Sequence, residues 1–270
     1  MLRTRIITGL ILGALLLLGI FLLPRFWVIL GFGAVFTLAA WEWAGFGRLA
    51  GAGSRACYAA AMAALLWAAW IFCTEPRHLM TLLWIACAWW AAAFFWLTLA
   101  PAWHRRVLTL ACGLLVLAPA FVALTRLEVS SGAFARGPLI VLWLIVMVVA
   151  ADVGAYFAGR AFGRHKLAPR VSPGKTWEGA FGGLLAVSLA AAVGAVLFSL
   201  SVPAAMAFGA GVGIFSVIGD LTESMFKRAA ALKDSGSLLP GHGGLLDRLD
   251  SVTAAAPLYA LGLFGSGVIS

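Results

Sequence analysis

The chain has 270 residues, 63% of them hydrophobic and 11% charged, with 19 Lys and Arg against 10 Asp and Glu and a mean hydropathy of +1.04. A soluble globule carries about 25% charged residues, so this chain cannot cover itself with a solvated surface. That excludes a soluble enzyme, a disordered regulator and a secreted disulfide scaffold, and leaves an all-α polytopic membrane protein.

A membrane-spanning helix needs about 20 mostly apolar residues. Hydropathy predicts nine such segments, near Ile6–Leu23, Phe26–Phe46, Cys57–Cys73, Leu79–Ala100, Val107–Leu124, Pro138–Phe157, Ala180–Leu200, Val202–Gly219 and Val252–Val268. The first is longer than a signal-peptide core and no A-x-A-like site follows it, so it reads as a retained helix. The last is the weakest, being rich in small residues. Cys57, Cys73, Cys87 and Cys112 all lie in apolar runs without a C-x-x-C pair, so buried free thiols are expected. Many of the twelve Trp fall between Trp84 and Trp103 and read as interfacial and packing residues.

An N-terminus in the cytoplasm, followed by nine crossings, leaves Arg25, Arg77, Arg126 and Arg136 outside and the other fifteen Lys and Arg inside. That is a strong positive-inside bias. It accounts for much of the net charge of +9, and no nucleic-acid partner is expected. Residues 1–137 form a nearly uncharged block of about five helices. Residues 138–270 hold the polar chemistry in two stretches on the predicted cytoplasmic side, 159–179 and 220–250.

The second stretch is the richer. If the eighth segment continues as a helix, Asp220, Glu223, Ser224 and Lys227 share one face by i, i+3, i+4, i+7 spacing. Asp247 and Asp250, spaced i, i+3, open the last helix. Carboxylates and a hydroxyl, with few His or Cys, suit a hard cation such as Mg²⁺, which binds through one or two carboxylates plus substrate phosphates. Lys227, Arg228, Lys233 and Arg248 surround these acids, as a polyphosphate requires. Gly243 and Gly244, after His242, let backbone N–H groups approach phosphate oxygens. In the first stretch, Gly174-Lys175-Thr176 has the end of a phosphate-binding P-loop but not its glycine five places earlier, where Pro169 stands; a P-loop NTPase is rejected. Asp152 sits within an apolar helix and must face protein or water.

Ser224-x-Phe226-Lys227-Arg228, then Lys233-Asp234-x-Gly236, then Leu239-Pro240-x-His242-Gly243-Gly244-Leu245-x-Asp247-Arg248-Leu249-Asp250 resembles the signature of the phosphatidate cytidylyltransferases, with no departure at the fixed positions. Ser172-Pro173-Gly174-Lys175-Thr176-Trp177-Glu178-Gly179 resembles that family's second recurring block. The likeness is sharp from about Asp152 onward. It implies an enzyme of the bacterial inner membrane, with its active site facing the cytoplasm. The reaction would join CTP and phosphatidic acid into CDP-diacylglycerol and pyrophosphate. It also implies Mg²⁺ dependence, K⁺ as a candidate second cation, and a homodimer.

On that reading Asp220, Ser224 and Asp247 are expected as metal ligands, with Asp250 beside them and Lys227 in the catalytic group. Lys227, Arg228, Lys233 and Arg248 would hold phosphates, Asp234, His242, Gly243 and Gly244 would shape the nucleotide loop, and Lys175 would close over the site. The alternative is an ion-coupled transporter using Asp152, Asp220 and Glu42 as intramembrane carboxylates. The D-G-x2-A-R pattern of the CDP-alcohol phosphotransferases is absent.

Overall fold

In the computed structural model, residues 2–101, 105–131, 137–198, 200–239, 241 and 243–269 are described. Trp103, Arg136, Pro240 and His242, named above, lie outside them. Nine α-helices are found among these residues, one for each expected segment: α1 (Leu2–Leu22), α2 (Arg25–Phe46), α3 (Ala52–Phe72), α4 (Pro76–Leu99), α5 (Arg106–Val129), α6 (Gly137–Phe162), α7 (Trp177–Gly194), α8 (Val202–Ala229) and α9 (Asp250–Gly265). Seven of them, α2 to α8, are long and apolar enough to cross a membrane. Their outward faces carry large apolar side chains such as Leu99, Phe95, Trp84, Phe181 and Val193. Such a surface is stable against lipid and not against water.

Local chemistry sets several of the helix starts. Pro76 and Pro203 sit in the first turns of α4 and α8, where the missing N–H costs nothing and φ is already helical. Thr176 caps α7, its Oγ1 accepting from the Gly179 N–H at 3.2 Å. The 28 residues of α8 make a rod of about 42 Å, longer than a hydrocarbon core of about 30 Å. Its charged residues all fall in the last turns, from Asp220 to Arg228, so the excess length suits a polar end standing outside the hydrocarbon.

The short last helix behaves unlike the others. α9 has 16 residues, about 24 Å of helix, and it does not reach across the membrane by length alone. Nearly all of it from Ser251 to Leu263 is buried, against α8, α5 and α4. Its small residues reflect a place at the centre of the bundle rather than a marginal span. The thiol expectation fails at one position: Cys73, Cys87 and Cys112 are buried, whereas Cys57 is exposed on α3, a helix with three buried residues among its 21.

α6 and α7 are the most closely packed pair. A Cβ at Gly182 would overlap the Ala158 Cβ, so only glycine permits this approach of the two backbones. Between them the chain forms a feature not anticipated from the sequence, an antiparallel hairpin of β1 (Lys166–Ala168) and β2 (Ser172–Thr176). The hairpin lies beside the end of α8, where the Arg228 Nε–H donates to the Val171 carbonyl at 3.4 Å. Arg48, just past α2, donates to the Ala229 carbonyl at 2.8 Å. Both polar stretches and the C-terminal end of α2 thus share one end of the bundle.

Candidate active site

The site grows from the polar last turns of α8. Asp220, Glu223, Ser224 and Lys227 follow one another on a single face, as their spacing requires, and Ser224 Oγ–H donates to Asp220 Oδ1 at 3.4 Å. The other oxygen of Asp220 meets Lys175 on β2: Lys175 Nζ lies 2.5 Å from Asp220 Oδ2, with both side chains about a quarter exposed. This ion pair joins the two polar stretches.

Lys175 and Asp220 line a cavity of about 480 Å³ between α6, α7, α8 and β2. Asp152, Tyr156 and Arg160 of α6 and Thr176 complete its polar wall, and the rest of the lining is mostly Gly and Ala. The small residues leave the space open. Arg160 Nη1 donates to the Tyr156 hydroxyl at 3.2 Å. Asp152 lies within electrostatic reach of Asp220, Lys175 and Arg248. Tyr156, Arg160 and Thr176 carry no role in the sequence reading. Their signal was present, a Tyr and an Arg four residues apart after Asp152 on one helical face.

Asp247 and Lys227 occupy a second, more enclosed cluster. Lys227 Nζ sits 2.6 Å from Asp247 Oδ1 and 3.1 Å from Glu223 Oε1, with all three side chains at most 11% exposed. Asp247 also accepts from the Ser235 N–H at 3.0 Å and the Gly244 N–H at 2.8 Å. Burial works to raise the Asp247 carboxyl, but the Lys227 ammonium and these N–H donors outweigh it and hold it below the usual carboxylate range. Asp247 does not itself open α9 as expected; it sits in a 3₁₀ turn, Leu246–Arg248, and Asp250 begins the helix.

These contacts change the expected place of Lys227. Its ammonium is a buried counter-ion between two carboxylates, not an exposed phosphate ligand. Lys233, Asp234 and Arg248 are exposed, and Arg228 is turned toward the hairpin. Gly243 has φ of +84°, and a Cβ there would stand 2.9 Å from Asp247 Oδ2. Glycine is needed both for the left-handed turn and for the closeness of that carboxylate. Gly244 offers its N–H to Asp247 in this arrangement rather than to an open loop.

The donor set was tested against a hard cation. Among the described residues, no three His, Cys, Asp or Glu side chains form a ready-made metal cage. The oxygens of Asp220 and Ser224 are adjacent, and Asp250 is within electrostatic reach of Asp220. Oxygen donors of this kind suit Mg²⁺, which needs only one or two carboxylates when substrate phosphates supply the rest. Asp220 and Ser224 fit that requirement once Lys175 yields the Asp220 oxygen that it holds. Asp247 fits it only in competition with Lys227, which already holds one of its oxygens.

The model of the family described as "Cytidylyltransferase family" matches residues 3–264. The phosphatidate cytidylyltransferase of Pseudomonas aeruginosa is 44% identical over 99% of this chain and 98% of its own length. That of Haemophilus influenzae is 37% identical over 96% of this chain and 98% of its own length. The Brucella suis protein of the same name is 50% identical over 47% of this chain. The similarity to the first two extends through the N-terminal helices, where the sequence motifs alone were silent.

Proposed function

The chain belongs to the cytidylyltransferase family, and from that premise we propose that it transfers the cytidylyl group of CTP to phosphatidic acid. A phosphate oxygen of the lipid attacks the α-phosphorus of CTP. The bond from that phosphorus to the bridging oxygen breaks, pyrophosphate leaves, and CDP-diacylglycerol remains in the membrane. The nucleophile is already anionic, so no strong base is required. The barrier is bringing two anions together, and catalysis is positioning plus charge neutralisation.

The observation that carries this reading is the Lys175–Asp220 pair at the wall of the cavity. A cation and a carboxylate together at one cavity wall suit a nucleoside triphosphate bound with a divalent ion. Bound Mg²⁺ would supply charge neutralisation on the phosphates. Asp220 and Ser224 would hold it, with Asp250 nearby and Asp247 as a further ligand in exchange for Lys227. Lys175, released from Asp220, would take a phosphate, with Arg248, Lys233 and Arg160 adding positive charge. K⁺ is the candidate for a second cation.

The two polar stretches are proposed to face the cytoplasm of a bacterial inner membrane, with the N-terminus on that same side, supported by the bias of fifteen Lys and Arg against four. A homodimer is proposed on family resemblance. The transporter alternative gains no support from the family match, and Glu42, one of its carboxylates, is taken up by internal hydrogen bonds.

The test is direct. Purified protein is given CTP labelled in the cytidine, phosphatidic acid and Mg²⁺. Label in the lipid phase is the expected result, and label that stays in the aqueous phase removes the proposal.

A further inference from the structure

We infer that Glu42, on α2 and outside both polar stretches, is a positioning residue that fixes Asp247 and the loop around it; the inference rests on the cytidylyl-transfer reading above. The Glu42 side chain is 2% exposed in an otherwise apolar helix. No ion pair among the described residues involves it. Burying a carboxylate without a cation is costly unless hydrogen bonds replace its water. Three do. Ser235 Oγ–H donates to Oε2 at 3.0 Å, the Leu246 N–H to Oε2 at 2.8 Å, and the Leu245 N–H to Oε1 at 3.0 Å.

All three donors belong to the segment that carries Asp247. Leu245 precedes and Leu246 begins the 3₁₀ turn that presents it, and their N–H groups would otherwise be orphans at the turn's start. Ser235 reaches it from twelve residues earlier: its N–H donates to both Asp247 oxygens, at 3.0 and 3.2 Å, and its Oγ accepts from the Asp247 N–H at 3.3 Å. Glu42 therefore holds the chain at two separate points ahead of Asp247, residue 235 and the 245–246 pair, and, through the Ser235 hydroxyl, the Asp247 backbone itself. The chain wraps closely around this carboxylate. A Cβ at Gly244 would stand 2.6 Å from Glu42 Oε2, and one at Gly236 would overlap Oε1. An apolar residue at position 42 would hold α2 in the bundle equally well, but it would leave these donors without an acceptor.

The experiment compares Glu42→Ala, Glu42→Gln and Ser235→Ala with wild type in detergent micelles, scoring turnover per folded molecule and amide hydrogen exchange along the chain. A misplacement of about 1 Å at reacting groups costs roughly 10²-fold in rate. Glu42→Ala is expected to lose turnover on that scale. Faster exchange should be confined to 235–247, with α6 unchanged. Glu42→Gln keeps one acceptor oxygen and turns an amide NH₂ toward donors, so its loss is smaller. Ser235→Ala removes one link of three and loses least. If Glu42→Ala does not fold, the other two variants decide. Full turnover per folded molecule overturns the inference, as does lost turnover with unchanged exchange at 235–247. An inactive wild type would instead sink the cytidylyl-transfer reading.

Discussion

Lys175 Nζ and Asp220 Oδ2 are 2.5 Å apart, one on the hairpin before α7 and the other near the end of α8. This pair closes the cavity wall and ties the two polar stretches into one site. Lys175→Ala removes the proposed phosphate ligand and leaves Asp220 without its cation. It is expected to lower kcat/KM for CTP by roughly 10²-fold while the KM for phosphatidic acid changes little. Steady-state kinetics with each substrate varied separately checks this. Equal losses toward both substrates would assign Lys175 to the loop's structure.

Asp247→Asn is expected to abolish turnover and also to weaken the fold. Closeness to a helix start would by itself let Asn replace Asp without harm to folding. The structure says otherwise, because Asp247 accepts from Lys227 and from two backbone N–H groups. An amide NH₂ turned toward any of these donors leaves a buried partner unmade, at a cost of about 1–3 kcal/mol. Thermal unfolding in detergent, read beside the turnover assay, should show both effects. An unchanged midpoint would contradict the hydrogen-bond arrangement at Asp247.

The same residue gives a pH dependence with a definite sign. The Asp247 carboxyl is held below its ordinary value of 3.8, so its stabilisation is complete above that value and disappears as pH falls through the lower folded-state value. Between pH 5 and 8 this group contributes no slope. Wild type and Asp247→Asn should therefore differ by a constant amount in stability across that range and converge only in stronger acid. A difference that shrinks toward neutral pH would show that the carboxyl titrates higher.

Gly182→Ala tests the packing that makes the cavity. The new methyl would overlap the Ala158 Cβ, and α6 and α7 would have to separate. Overpacking of this kind costs about 1–3 kcal/mol, and the shift should reach the cavity that both helices line. Gly31→Ala is the control, since it lies on α2 outside the cavity lining and nothing stands within 4 Å of a Cβ there. Lower thermal stability and activity are expected for Gly182→Ala alone. Equal behaviour of the two variants would mean that the α6–α7 interface yields without consequence.

Cysteines replacing Lys166 and Ser237, both exposed at the polar end, should resist an impermeant maleimide in sealed cells until the membrane is opened. A cysteine replacing Arg77, exposed in the first turns of α4, should label without permeabilisation. The reverse pattern would invert the topology.

The sequence by itself determined the nine helical segments, because length and hydropathy are properties of consecutive residues and a bilayer has a fixed thickness. It also placed Asp220 beside Ser224, since helical spacing alone brings i and i+4 together. It marked the family through motifs contiguous in the chain. Tertiary structure decided the rest. Only packing shows that Lys227 is a buried counter-ion, that α9 lies in the middle of the bundle, and that Lys175 crosses to Asp220. Glu42 is the sharpest case. In the sequence it is a lone acid in an apolar helix, and its partners Ser235, Leu245 and Leu246 are two hundred residues away or nearly so. Two of those three partners are backbone N–H groups, which every residue but proline carries, so no pattern of side chains could have revealed them.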